Sequence, residues 1–308
     1  MNSSKRIDGE PSANHPSPPA VARTNRLLSR CSLNCLRRLA RPVAWLARHS
    51  DNQLRRAVRD NLRLAFPDLD DKARAELARQ ALFHTAAAFT ETAFIWHRPI
   101  GQVLALADES GVCQQFVDDS GPRIVVAPHH GNWEYLNLWL ADRLPLLSLY
   151  KPARKPGLDR YIRDSRTRNG ARLLPTSTSG LRGLIRGLRQ GESCMILPDQ
   201  KPGRGRGQVE APFFGLMVDT STLVQQLAAR TDCSIYMAAA LRDEDHGRFR
   251  VIVRPLSRER LIQQEPDAAI YLNRSIEELV RECPEQYQWA YRRFRKQDYA
   301  QLKVQASG

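Results

Sequence analysis

Short apolar runs separated by longer periodic stretches set the pattern of this chain. The runs at residues 124–127, 146–150 and 193–197 hold four apolar residues each. They are too short for helices and are bounded by turn residues, so each predicts a buried strand. Residues 71–96 and 157–169 instead carry apolar side chains at helical spacing. This alternation predicts an α/β fold of three layers around a central sheet.

Two later stretches complete the predicted sheet. Residues 234–241 and 249–253 alternate between apolar and polar positions and are joined by a hairpin-like turn, so we expect an antiparallel pair. A sheet that also holds strands connected through helices is then mixed. A short helix is predicted over residues 108–118, ahead of the first buried strand.

The polar turn that follows residues 124–127 holds the candidate chemistry. Pro128 ends the strand, and an apolar helix begins at about Trp133. His129 therefore lies at the carboxyl end of a strand, where open α/β sheets bind ligands. Four residues separate it from Glu134, so the two side chains can approach to hydrogen-bonding distance. A carboxylate beside an imidazole raises its basicity, which suits a general base that deprotonates a hydroxyl.

Two other interpretations of this turn stay open. A polar turn that only caps a helix uses the same residue types. A zinc site would need histidines at ligand spacing, but the pattern His-Glu-x-x-His is absent and the remaining histidines are scattered along the chain. No metal is therefore predicted.

Three ordered motifs connect this turn with the rest of the chain: RDNLRLAFP at residues 59–67, PHHGNWE at 128–134 and PEQYQWAYRRF at 284–294. They resemble elements of the bacterial lipid A late acyltransferases, whose central motif is His-x4-Asp/Glu. His130 stands where that family usually has an aromatic residue. The resemblance covers about residues 55–296 and implies the glycerolipid-acyltransferase-like α/β fold.

The resemblance also implies a reaction and the residues that perform it. A fatty acyl group would pass from a thioester on acyl carrier protein to a hydroxyl of a lipid A precursor, without a metal or redox cofactor. His129 would be the base and Glu134 would orient it. Further candidates for substrate binding are Gly131, Asn132, Lys151, Arg166 and Asp199. Arg166 would position an anionic substrate or stabilise the oxyanion, whereas Asp199 suits a simple turn equally well.

The N-terminal region differs in composition from the rest. Residues 1–22 are rich in Ser, Asn and Pro and predict a disordered tail. Residues 23–49 predict one helix that Pro42 kinks or interrupts, and residues 50–300 form the predicted catalytic domain.

That helix places arginines and apolar residues on opposite faces. The basic face comprises Arg26, Arg30, Arg37, Arg41 and Arg48. The apolar face comprises Leu28, Cys31, Cys35, Leu39, Val43 and Leu46. Such a helix suits the headgroup layer of an anionic inner leaflet. A helix that packs on its own domain, with its arginines in water, is the alternative.

Charge and composition limit the kinds of partner that the sequence predicts. The chain has 308 residues and a net charge of +14, which favours an anionic partner or surface. It carries no nucleic-acid recognition motif, so anionic lipid and an acidic carrier protein are the predicted partners. No run of 18 apolar residues is present, and the six cysteines form no Cys-x-x-Cys pair. We therefore expect the reduced thiols of a cytoplasmic protein. The resemblance to the lipid A acyltransferases implies a location at the cytoplasmic face of the bacterial inner membrane, peripheral or held by a single helix.

Two alternative functions remain. The first is an acyltransferase of the same fold that acts on another glycolipid or phospholipid. The second is a non-catalytic basic module that binds membrane or nucleic acid.

Overall fold

A seven-stranded sheet organises the chain, and the computed structural model describes residues 19–203 and 207–305 of it. In spatial order the strands are β1 (Ala107–Val112), β9 (Arg248–Pro255), β8 (Ser234–Asp243), β2 (Arg123–Val126), β5 (Ser193–Ile196), β3 (Leu146–Tyr150) and β4 (Arg172–Pro175). β8 and β9 form an antiparallel pair, and the other neighbours are parallel. The mixed sheet is therefore confirmed. A separate hairpin consists of β6 (Gln208–Phe213) and β7 (Leu216–Ser221).

Helices cover both faces of this sheet. Those that precede β2 are α1 (Ala20–Leu28), α2 (Leu33–His49), α3 (Gln53–Ala65), α4 (Asp71–His97), α5 (Ile100–Leu104) and α6 (Gln114–Asp118). Those that follow are α7 (Trp133–Arg143), α8 (Pro156–Thr167), α9 (Thr178–Arg189), α10 (Leu223–Arg230), α11 (Arg258–Leu261), α12 (Asp267–Glu282) and α13 (Lys296–Gln305). A 3₁₀ turn covers Pro284–Gln286. The predicted three-layer α/β fold is confirmed.

The central strand β2 explains why both faces need a cover. All of its residues are buried. Ile124 and Val126 belong to one hydrophobic core, whereas Val125 and Ala127 belong to a second core on the opposite face. Successive side chains of a strand point to opposite faces. This run of apolar residues is therefore fully buried only when helices cover both faces of the sheet.

The strands that the sequence did not predict are the two edges of the sheet and the separate hairpin. Residues 108–112, predicted as part of a helix, lie in β1 instead, and only residues 114–118 are helical. The edge strands β1 and β4 contain no fully buried residue. An edge strand needs only one pairing partner, so its sequence need not carry the apolar signature of a buried strand.

The N-terminal helix differs from the prediction. Two helices, α1 and α2, replace the single helix over residues 23–49, and the break lies at residues 29–32 rather than at Pro42. The Ser32 side chain starts α2 by accepting a hydrogen bond from the Cys35 N–H. The predicted disordered tail lies mostly outside the described residues, and its last residues belong to α1.

The faces of α2 also differ from the prediction. Arg37 is buried, whereas Val43 and Leu46 are 54% and 63% exposed. The buried face holds Ala40 and Ala44, which pack with small residues of α4 in a cluster of their own. Small side chains let two helices approach closely, so Ala40 and Ala44 form this interface. Leu33 and Leu36 at the start of α2 are also buried, whereas the larger apolar residues after Ala40 remain outside. One face of α2 thus packs on its own domain, and the apolar face is exposed.

Candidate active site

The carboxyl ends of two neighbouring strands bring His129 and Asp199 together. β2 and β5 are parallel and adjacent, and each is followed by a short polar turn. His129 Nδ1 lies 2.8 Å from one oxygen of the Asp199 carboxylate, and the His129 backbone N–H donates to the other oxygen at 2.9 Å. Asp199 therefore fixes both the backbone and the ring of His129.

This contact determines how the imidazole can act. A carboxylate only accepts hydrogen bonds, so Nδ1 of His129 carries a hydrogen and Nε2 keeps its lone pair. Burial by itself would raise the pKa of Asp199, but the interaction with His129, which donates two hydrogen bonds to the carboxylate, outweighs it and holds that pKa below its ordinary value. An ionised Asp199 stabilises the imidazolium that forms when Nε2 takes a proton.

The amide of Gln200 occupies Nε2 in this structure. Gln200 Nε2 lies 3.1 Å from His129 Nε2 and 3.4 Å from the side-chain oxygen of Gln288. The sequence analysis did not select Gln200, because a glutamine after an aspartate in a turn carries no distinctive pattern. The Gln200 amide therefore contacts the ring nitrogen of His129 that Asp199 leaves free.

Glu134 does not form the predicted hydrogen bond with His129. Its carboxylate pairs with the Arg166 guanidinium instead, at 3.1 Å from Nε and 2.7 Å from Nη2. The separation of four residues does place Glu134 on the first turn of α7, but Asp199 already occupies the ring nitrogen that a carboxylate would orient. Asp199, 70 residues further along the chain, thus makes the contact that the local pattern assigned to Glu134.

Arg166 is held in place from several sides. Its guanidinium carbon lies 4.7 Å from the centre of the Trp133 ring and 5.7 Å from that of Tyr150. Burial raises the pKa of Glu134, and the charge of Arg166 opposes that rise. Glu134 and Trp133 line the same cavity as His129, and Arg166 contacts both of them.

The remaining predicted binding residues have other positions. Gly131 has a φ of 68°, and a Cβ atom there would lie 2.1 Å from the Ala240 carbonyl oxygen, so the close approach requires glycine. The Asn132 side chain is buried and caps α7 by accepting from the Tyr135 N–H. Lys151 follows β3, is exposed and does not line the cavity at His129.

Asn132 belongs to a buried network that the sequence did not reveal. Glu91 of α4, which is fully buried, accepts from the Asn132 amide at 2.7 Å. The same carboxylate accepts from Arg37 of α2 at 2.7 Å and from Arg242 of β8 at 2.8 Å. One carboxylate thus connects the N-terminal helix, the sheet and the turn that carries His129.

His130 has no comparable chemistry. Its side chain is fully buried, and within the described residues neither ring nitrogen has a hydrogen-bond partner. Burial lowers its pKa to about 3, so the ring is neutral at physiological pH. It lies near Tyr287, in the position of a packing residue rather than a base.

A small cavity of about 90 Å³ opens at His129. It lies between α4, the turn at residues 129–134 and residues 286–288. Over the two described ranges of the chain, no group of three His, Cys, Asp or Glu side chains is placed to hold a metal ion. The fold and this site define the class of protein: an α/β enzyme whose candidate base lies at the carboxyl edge of its sheet.

Comparison with known proteins identifies the family. The sequence profile described as "Bacterial lipid A biosynthesis acyltransferase" matches residues 20–296. The chain belongs to this family and is an acyltransferase, so the resemblance found in the sequence is confirmed.

Individual relatives match most of the chain at low identity. The lipid A biosynthesis palmitoleoyltransferase of Escherichia coli K12 is 26% identical over 246 residues, covering 77% of this chain and 78% of the relative. A lipid A biosynthesis acyltransferase of Haemophilus influenzae is 26% identical over 270 residues, with 84% of each chain covered. The lipid A biosynthesis lauroyltransferase of E. coli K12 is 23% identical and covers 77% of this chain and 78% of its own length.

Proposed function

We propose that this acyltransferase moves a fatty acyl group from a thioester on acyl carrier protein to a hydroxyl of a lipid A precursor. Membership of the family supports late acylation in lipid A synthesis as the pathway. The observation that carries the chemistry is the hydrogen bond between His129 Nδ1 and Asp199, which leaves Nε2 as a base at the cavity.

The reaction proceeds by direct attack. His129 Nε2 takes the proton of the acceptor hydroxyl as its oxygen bonds to the thioester carbonyl carbon. The C–S bond of the resulting tetrahedral species then breaks, and the thiolate leaves with the proton from the imidazolium. Asp199 stabilises the imidazolium between these two steps. No acyl-enzyme forms, and the proton that leaves the hydroxyl ends on the thiol.

Glu134 supports this reaction through Arg166 rather than through His129. The carboxylate contacts two nitrogens of the guanidinium, and Trp133 and Tyr150 lie near its carbon. An arginine held in this way beside the cavity is ready to stabilise negative charge on the substrate or on the oxyanion. Glu134 is therefore a positioning residue for Arg166.

The protein works at the cytoplasmic face of the inner membrane. No helix in the described ranges combines the length and the apolar character needed to cross a bilayer. Several large apolar side chains of α2 and α4 are nevertheless exposed: Leu39, Val43, Trp45, Leu46 and Phe89. Exposed apolar residues flanked by arginines suit an anionic leaflet, because the first enter the lipid and the second meet its headgroups.

The test is a transfer assay with acyl carrier protein bearing a labelled acyl chain. Wild-type protein and His129→Ala are given a lipid A precursor, a phosphatidylglycerol and a neutral glycolipid in parallel, and products are read by mass spectrometry. We expect an acylated lipid A precursor with the wild type and at least about a hundredfold less with the variant. If only another lipid were acylated, that lipid would replace the lipid A precursor as the proposed acceptor. The absence of transfer to all three lipids would overturn the proposed donor and acceptor.

A further inference from the structure

A second, larger cavity adjoins the catalytic one. It has a volume of about 670 Å³ and lies between α2 and α4, with Glu244 and Glu285 at its border. His84 lines both cavities, so the two share a wall. Along α4, Phe83 lines the large cavity and Thr92 lines the catalytic one. Nine residues of helix separate them, which corresponds to about 14 Å at ~1.5 Å per residue.

The lining of the large cavity is basic on the side of the helices. Arg41 and Arg48 of α2 and Arg79 of α4 contribute their side chains. Arg79 pairs with Glu76, but over the described parts of the chain neither Arg41 nor Arg48 has an ion-pair partner. Unpaired arginines that face one concave space favour a phosphate group, which accepts several charge-assisted hydrogen bonds.

The carboxylates at the border do not cancel this charge. Glu244 lies 3.4 Å from His84 Nε2, and Glu285 accepts from the Cys283 thiol at 2.8 Å. Two acidic side chains with partners thus face three arginines. Neither Arg41 nor Arg48 forms an ion pair within the described residues, and the charge of Arg48 also acts on Glu76, the partner of Arg79.

His84 supplies a polar atom that lacks a partner. Its side chain is only 6% exposed, and within the described residues Nδ1 makes no hydrogen bond. A buried ring nitrogen without a partner is costly. Because Nε2 faces the Glu244 carboxylate, Nδ1 is the acceptor of the ring, and a ligand hydroxyl that donates to it in the cavity would remove that cost.

The cavity also has an apolar side. Trp45, Pro42 and Phe83 line it, and Trp45 is 61% exposed. The exposed Val43 and Leu46 belong to the same helix as Trp45. A ligand that satisfies both the arginines and these residues carries an anionic head and an apolar body.

We propose that this cavity binds the phosphorylated head group of the acceptor lipid, while the hydroxyl to be acylated reaches His129 along α4. The inference rests on the proposed function and adds the place where the acceptor is recognised. It makes Arg41, Arg48 and His84 specificity residues for a phosphorylated sugar lipid. A lipid that lacks the phosphate would enter the catalytic cavity without this anchor.

The experiment measures binding and transfer separately. Arg41→Gln/Arg48→Gln is compared with Arg38→Gln/Arg55→Gln, which removes two exposed arginines of α2 and α3 that do not line the cavity. Binding of a phosphorylated lipid A precursor in neutral detergent micelles, and of the same lipid after phosphatase treatment, is measured by equilibrium titration in the His129→Ala background. The acceptor KM and donor KM are then measured with an intact His129.

We expect the cavity variant to bind the phosphorylated lipid at least about tenfold more weakly, with a matching rise in acceptor KM, because two charged contacts are lost. The control variant should bind like its parent, and the phosphatase-treated lipid should not distinguish the proteins. Equal losses in both variants, or a rise confined to donor KM, would overturn the assignment. Selective binding without transfer of any acyl group would refute the proposed function and leave the binding site intact.

Discussion

The turn at residues 128–134 and the helix α2 both contain a polar side chain whose partner lies far away in the sequence. In the turn, the local pattern placed His129 correctly at the end of a strand. It predicted Glu134 as the hydrogen-bond partner of the His129 ring, whereas the partner is Asp199. In α2, the pattern assigned Arg37 to the exposed face, whereas Arg37 is buried against Glu91. Periodicity shows which residues share a face, but the distant partner determines which face is buried.

The two regions also differ in what they expose. The turn is largely buried, and its glycine and asparagine serve its geometry. On α2, Leu33 and Leu36 of the first turn are buried, but from Ala40 onward the buried residues are small and Val43 and Leu46 face outward. Close packing of helices favours small side chains, so in this second half of α2 the usual rule that large apolar residues point inward fails.

The first prediction separates the two histidines of the turn and has the largest effect. His129→Ala should lower acyl transfer by at least about a hundredfold, because the base is lost. His130→Ala should retain most of the activity, since its ring nitrogens have no partner in the described structure. Rates and thermal melting are measured on both variants. An inactive, folded His130→Ala beside an active His129→Ala would place the base one residue further along.

The second prediction asks which carboxylate supports the base. Asp199→Asn should lower kcat by roughly a hundredfold, because an amide supports the imidazolium poorly and no longer fixes its tautomer. Glu134→Gln should keep the fold but lose most turnover, by about tenfold, since its effect passes through Arg166. The kcat values of the two folded variants distinguish the carboxylates, because only Asp199→Asn removes the hydrogen-bond partner of the His129 ring. A larger loss of kcat with Glu134→Gln than with Asp199→Asn would restore the original assignment.

The third prediction tests the carboxylate that joins both regions. Glu91→Gln leaves Arg37 and Arg242 partly unpaired in the interior, so unfolding free energy should fall by about 2 kcal/mol or more. Denaturant melts measure it, and Glu76→Gln in an exposed pair of the same helix is the control, with an expected loss below about 1 kcal/mol. Equal losses in the two variants would show that the buried network contributes little.

The fourth prediction uses pH. Burial lowers the pKa of His130 to about 3 in the folded protein, whereas an unfolded histidine titrates near ~6.5. The unfolded chain therefore binds more protons below about pH 6.5, and His130 should reduce stability by up to ~1.4 kcal/mol for each pH unit lost towards pH 3. His130→Phe should flatten the decline measured by denaturant melts from pH 7 to pH 4. An unchanged slope would mean that other groups dominate it.

The fifth prediction concerns the exposed face of α2. Val43→Ser/Leu46→Ser should reduce binding to anionic vesicles by about tenfold, because two side chains no longer enter the lipid. Val117→Ser/Ile262→Ser removes apolar residues of similar exposure elsewhere and should have no effect. Residual binding should weaken as salt rises. Equal behaviour of the two variants in a flotation assay would remove the membrane role from α2.

Much of the sheet could be predicted from the sequence, and much of the site could not. β2, β3 and β5 are buried on both sides, so their composition identifies them. Gln200 and Glu91 carry no such signal, because a lone polar residue reveals its role only when the chain has folded around it. The ends of strands locate a site well, whereas the pairing of its side chains depends on contacts across more than 40 residues.

The position of Gln200 has a consequence for unwanted hydrolysis. With its amide on Nε2 of His129, the resting enzyme has no vacant lone pair with which to activate a stray water molecule. We expect a carrier-bound thioester that arrives first to survive until an acceptor alcohol displaces the amide. Gln200 would then suppress hydrolysis of the thioester before the acceptor binds. Substitution of Gln200 would release free fatty acid in the absence of any acceptor.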